Sequence, residues 1–263
     1  MNYYPTRYSG LTDSGVNDLY RSDTWSNLER SERLDAIQEL ANRSAQICGN
    51  RPCEVKLEKM NGSTYGYYQN GGIFINESLV ESGELSVEFD DGTSMSYAVP
   101  GANAQIMNTI HHENYHAYQN DVVNGHTNHN NSAETELWRA NWNNNNYIRY
   151  DENPLLYRLQ SIERSAFDYG DTRTKSAFDR IEALYGADSG YQNYYNSYGD
   201  KGYTNALSKA SKTYGQNIEE MLAESMLQNY RSGYSYDYAA FNFGLSDNSY
   251  SAEEDDYYDG LFL

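Results

Sequence analysis

Along residues 25–48 apolar side chains recur mostly at three- to four-residue spacing, at Leu28, Leu34, Ile37, Ala41 and Ala45, and Gly49 stands where a helix C-terminal glycine belongs. This spacing predicts an amphipathic helix with one core face. The period then changes. Val55 and Leu57, "TYGYY", "IFI" after Asn70-Gly71-Gly72, "ELSVEF" and "SMSYAV" around Asp90-Asp91-Gly92 are short alternating runs separated by turn residues. They predict a small, largely antiparallel sheet over about 53–99. Pro100 and Gly101 end it, and Asn103 is placed to cap a helix carrying Ile106, Met107, Ile110, Ala117 and Tyr118.

The rest of the pattern is helical as far as about residue 231. Asn131 with Glu134 forms a capping-box-like start ahead of Leu137, Trp138 and Trp142. Asn153-Pro154 opens a helix with Leu155, Leu156, Leu159, Ile162 and Ala166. Two further helices are expected around Phe178 and Ile181 and around Met221 and Leu222, with the Gly/Tyr/Asn stretch 186–203 as a long loop between them. Residues 1–24 carry no periodic signal and 233–263 are rich in Tyr, Ser and Asp. The expected organisation is an N-terminal arm 1–24, one α+β domain 25–232 and an acidic tail 233–263; no internal repeat is present.

A chain of 263 residues suffices for one good-sized core. Its 38 acidic and 19 basic side chains give a formal charge of -19, which disfavours nucleic acid, because that binding depends on Lys and Arg neutralising phosphates. No run approaches the ~18 apolar residues of a membrane span, and the start lacks a basic segment followed by an apolar one. A soluble chain without a cleavable leader is therefore expected, cytoplasmic or exported by a signal-less route. Cys48 and Cys53 exclude a disulfide scaffold but leave one bridge open, and the 28 tyrosines are assigned no function.

The chemistry concentrates in "IHHENYH", which holds three of the five histidines. On a helix, residues four apart share a face, so His112 and His116 can offer two imidazole nitrogens to one Zn²⁺ while Glu113 points beside them. Zn²⁺ lowers the pKa of its water towards about 7, and a neighbouring carboxylate can take the proton as a polarised carbonyl is attacked. Glu113 is the expected general base. His111 lies about 100° round the helix from His112, which favours packing over ligation.

A catalytic zinc needs a third protein ligand and an open position. Gln119 and Val122 stand where the metzincin extension requires glycine and histidine, so that pattern fails. His126 and His129 lie in an Asn/Gly-rich loop suited to solvent exposure. Glu163 is the stronger candidate. It falls among Leu156, Leu159, Ala166 and Phe167, a stripe that ought to face the core, and a buried carboxylate needs a partner or a metal. The alternative rotation puts Leu155 and Ile162 inward and Glu163 at the rim. Glu134 is already explained as a capping residue, Glu136 has no comparable apolar neighbours, and Asp168 is turned away from the face of Glu163.

A sheet, an H-E-x-x-H helix and a helical half supplying a glutamate together resemble the zincin metallopeptidases, specifically the gluzincin pattern, through His112, Glu113, His116 and Glu163. Glu163-Arg164-Ser165-Ala166 is similar to that family's E-x-x-A form, with Phe167 where thermolysin-like members carry an aspartate. The pieces "LERSERLDAIQELANRSAQICG", "YGYYQNGGIFIN", "HHENYHAYQ" and "YRLQSIERSAF" also resemble bacterial zincin-like domains, some of them toxin or effector modules. The resemblance implies a zincin-like fold, a Zn²⁺ cofactor and hydrolysis of a peptide or protein substrate that pairs with a strand somewhere in 84–99. An oxyanion donor is also implied; Tyr157, Tyr169 and the downstream tyrosines are alternatives. Two other readings stay open: a metal-stabilised binding module with no accessible water, and a metal-free zincin-like scaffold.

Overall fold

The computed structural model describes residues 3–89, 91–142, 146–199 and 201–232 of an α+β chain. The acidic tail expected over 233–263 lies outside the described residues. The described residues gather into two compact units, one drawn from 3–121 and 166–199, the other from 122–165 and 201–232.

In the first unit the long helix predicted from 25 onward divides in two, α2 (Ser22–Asn27) and α3 (Arg30–Cys48), preceded by the short α1 (Asp13–Asp18). Helix α3 starts at a reciprocal capping box between Glu29 and Glu32 and stops at Gly49, whose φ of 78° is the left-handed conformation that ends helices. The first 24 residues, which show no periodicity, bury Val16 and Tyr20 completely in this unit's core. A single apolar residue per short helix leaves no period to read.

The sheet is built from β1 (Glu54–Glu58), β2 (Gly66–Gln69) and β3 (Gly72–Asn76) in the order β1-β3-β2. Strands β2 and β3 form a hairpin on Asn70-Gly71, both with positive φ (51° and 80°), as a two-residue primed turn demands. Ile73 and Ile75 point into the core, while Phe74 on the other face stacks on Tyr67 at 4.9 Å. Strand β1 joins β3 in parallel, so this sheet is mixed; a separate antiparallel pair, β4 (Glu84–Glu88) and β5 (Ser94–Ala98), follows. Two of the three pairings are antiparallel, in keeping with a largely antiparallel expectation; alternation predicts a strand but does not name its partner, so the parallel β1–β3 pairing and the split into two sheets were not legible.

Between β3 and β4 lies a helix the pattern did not predict, α4 (Glu77–Ser82), capped by the Asn76 side chain and ended by Gly83. Its Leu79 and Val80 are fully buried. The stretch expected as a loop over 186–203 instead contains α9 (Ser189–Tyr198). The Asp188 carboxylate caps it at Tyr191 N (2.9 Å) and also binds Ser22 N and Oγ at the start of α2. Tyr191 stacks flat on Phe178 at 4.5 Å. Several of the tyrosines thus serve as core residues, and their excess hides a helix under apparent low complexity.

The motif helix is α5 (Ala102–Val123). Asn103 does not cap it; its amide donates to Tyr20 O at 2.7 Å and so ties α5 to the N-terminal helices. Strand β2 lies against α5 because Gly66 has no side chain: a Cβ there would stand 2.7 Å from Phe74 O, 2.8 Å from Ile75 Cδ1 and 2.9 Å from Thr109 Cγ2. Gly66→Ala should therefore lower stability by roughly 1–3 kcal/mol, the usual cost of overpacking, read as a fall in the urea midpoint at constant slope. An unchanged midpoint would mean that β2 is not seated on α5.

The second unit is helical: α6 (Ser132–Trp142), α7 (Pro154–Leu159), α10 (Lys201–Tyr214) and α11 (Ile218–Ser232) share a core of Ile148, Leu155, Leu156, Leu159, Ala206, Ile218, Leu222 and Met226. Asn131 and Asn153 cap α6 and α7 as their positions predict. The single helix expected from Asn153-Pro154 breaks at Gln160, whose ψ of 141° is extended; α8 (Ser161–Tyr185) starts immediately after it. The Gln160 side chain is buried and holds both Ile148 N (3.1 Å) and Ile148 O (2.7 Å). A long-range pair of hydrogen bonds sets that break, so the local apolar spacing could not reveal it.

Cys48 and Cys53 are free thiols. Burial pushes the Cys48 thiol up to about 11, and burial together with the nearby Asp121 carboxylate pushes Cys53 up to about 12. Both are protonated and unreactive near neutrality.

Candidate metal centre

Helix α5 is buried on nearly all sides, so its core cannot be read from one apolar stripe. Beside Ile106, Met107, Ile110 and Ala117 it buries Gln105, Asn108, Thr109, His111, Asn114 and Gln119. Buried polar groups need partners. Thr109 bonds back to Gln105 O (2.9 Å), Asn108 donates to Asp171 (2.9 Å) and Asn114 exchanges contacts with Asn50 at 3.4–3.5 Å.

His111 belongs to this packing. Its Nδ1 lies 3.2 Å from Ser44 Oγ and its ring meets Tyr169 edge to face. Burial, helped by the Arg173 guanidinium, pushes its imidazole down to about 3, so it stays neutral. The Tyr169 hydroxyl sits 3.4 Å from Ser44 Oγ and the ring stacks on Tyr115.

His112 and His116 turn the other way, and their Nε2 atoms stand 3.0 Å apart with the rings nearly perpendicular. Glu113 Oε1 is 3.9 Å from His112 Nε2. One donor atom from each of His112, Glu113 and His116 lies within 4.8 Å of the others, and the three residues are 5%, 7% and 9% exposed. Two Zn–N bonds of ~2.0–2.1 Å at a tetrahedral angle place their nitrogens ~3.3 Å apart. The imidazole pair is within a few tenths of an ångström of that requirement, and it fits a zinc ion.

Two neighbours hold these rings. Gln119 Oε1 lies 2.8 Å from His116 Nδ1. The Phe167 ring packs on His112 with centroids 4.3 Å apart. In the sequence Gln119 stands out only by breaking the metzincin spacing. Its position three residues after His116, one helical turn on, is the signal by which it could have been found.

In the second unit, Glu163 on α8 is 1% exposed, and the Tyr147 hydroxyl donates to its Oε1 at 2.7 Å. Ile162 and Leu155 are buried as well, but Glu163 is not the rim residue that the alternative rotation required, because this stretch is covered over more than one stripe. Tyr147, which the sequence did not single out, meets Tyr157 edge to face. His126 is exposed; His129 is partly covered, with Nε2 3.0 Å from Glu134 Oε2 and its ring on Trp138. Glu136 pairs with Arg231, and Asp168 is exposed.

No protein-family model matches this chain, and neither the curated proteins nor the solved structures contain a match. No described helix is long and apolar enough to cross a membrane.

Proposed function

We propose that this chain is a zinc-dependent hydrolase of peptide bonds with a zincin-like site of the gluzincin type. In this reading His112, His116 and Glu163 hold Zn²⁺ and Glu113 is the general base. The observation that carries it is the convergence of the His112 and His116 Nε2 atoms, 3.0 Å apart, with the Glu113 carboxylate beside them. Glu163 is supported by its character: a carboxylate held 1% exposed is an anionic oxygen donor that a cation would stabilise.

Zn²⁺ bound there supplies a Lewis acid that polarises a carbonyl and brings the deprotonation of water into the neutral range. The protein's own part follows from placement. Glu113 accepts the proton of the attacking water and returns it to the leaving amine, a role that needs a carboxylate beside the ligands rather than among them. Burial of the three residues keeps bulk water from competing.

A peptide substrate is supported by the outer strand β2, which touches α5 on both sides of the motif, through Gly66 at Thr109 and through Tyr68, whose hydroxyl accepts from Asn120 at 3.0 Å. An outer strand can take an extended peptide by strand addition. The excess negative charge favours encounter with basic peptides.

The test is the zinc-to-protein ratio after equilibration with a weak chelator. Wild type should hold about one zinc and Glu163→Ala far less, since a two-imidazole site loses the anionic ligand. A variant that keeps its full zinc would remove Glu163 from the ligand set. The burial of all three motif residues also favours a second reading, a closed metal site in which Glu113 is itself a ligand and no water enters.

A further inference from the structure

The Gln119 amide has no part in the H-E-x-x-H chemistry, yet it is 0% exposed and its Oε1 stands 2.8 Å from the ring nitrogen of His116 that faces away from His112. A neutral imidazole carries one N–H and one lone pair. An amide oxygen can only accept, so the contact places the hydrogen on Nδ1 and leaves the lone pair on Nε2. That nitrogen is the one 3.0 Å from His112 Nε2. Both residues lie on α5, three positions apart, so the helix itself fixes their geometry.

We propose that Gln119 is a positioning residue for the metal centre: it fixes the His116 tautomer and ring orientation and thereby sets the metal affinity. The proposal rests on the reading of His112 and His116 as metal ligands. A uniform amide rather than a carboxylate at this place makes His116 a neutral donor, and a carboxylate would make it a more basic one. Gln119→Leu fills the same volume without an acceptor; Gln119→Glu keeps an acceptor and adds charge.

The experiment is a chelator-competition titration of zinc on the full chain as wild type, Gln119→Leu and Gln119→Glu. It is joined by a two-bond ¹H–¹⁵N spectrum of the wild-type histidines with zinc bound. Gln119→Leu is expected to bind zinc about 10–100-fold more weakly, the usual effect of losing such a partner, and Gln119→Glu at least as tightly as wild type. The spectrum should show His116 protonated at Nδ1. Equal affinity in wild type and Gln119→Leu, equal weakening in both variants, or a His116 protonated at Nε2 would overturn the assignment of Gln119 while leaving the metal site standing. Wild type that binds no zinc would overturn the metal site and this role with it. The wild-type spectrum and Gln119→Glu decide the matter even if Gln119→Leu does not fold.

Discussion

Glu113→Gln is expected to lower hydrolysis of a susceptible peptide by about 10²–10⁴-fold, the usual contribution of a general base, while the zinc-to-protein ratio stays at the wild-type value. The two side chains have nearly the same shape, and the site is 7% exposed, so the substitution changes basicity without opening a cavity. Glu113 Oε1 is 3.9 Å from His112 Nε2, close enough to serve the same reacting centre without occupying the lone pair of that ring. Two measurements on one preparation separate the readings. Lost hydrolysis with zinc retained supports the base; lost zinc makes Glu113 a ligand and favours the closed site. Hydrolysis at the wild-type rate would end the peptidase proposal.

His116→Ala is expected to take the zinc-to-protein ratio from about one to near zero. The side chain supplies one of two nitrogens that converge within 3.0 Å, and the remaining His112 and Glu113 no longer form a chelating pair on one helical face. The loss should also appear in stability. Zinc held at about 100 times its dissociation constant contributes ~2.7 kcal/mol to a wild type that binds it only when folded. For a chain of this size that corresponds to a rise in Tm of roughly 5–10 °C. Zinc should raise the melting temperature of wild type and leave that of His116→Ala where it was. Equal shifts in both proteins would place the binding elsewhere and sink the site.

The two imidazoles were legible in the sequence because helical geometry is local. Four residues of spacing fix which side chains share a face, whatever the rest of the chain does, and the helix around them is marked by its own apolar residues. The hairpin at Asn70-Gly71 was legible for the same reason: positive φ at both turn positions is a property of those residues. The caps at Asn131 and Asn153 were local signals too.

What the pattern missed depended on partners far along the chain. The parallel pairing of β1 with β3, the break of α7 at Gln160 and the docking of the first 24 residues each rest on contacts that no window of sequence contains. Helix α9 was hidden because its core residues are tyrosines, whose apolar body is buried only once Phe178 stacks on Tyr191.

By itself, the sequence determined a pair of histidines on one helical face, a carboxylate between them, a second carboxylate in an apolar stripe and a formal charge of -19. All of these follow from residue identity and from periods of two and 3.6. The tertiary structure decided how those groups are held: Phe167 packed on His112, Gln119 turned towards His116, and His111 withdrawn to Ser44 and kept neutral by burial. The reason is that a side chain's partner and its protonation depend on desolvation and on distances of a few ångströms between segments, which chain order does not encode.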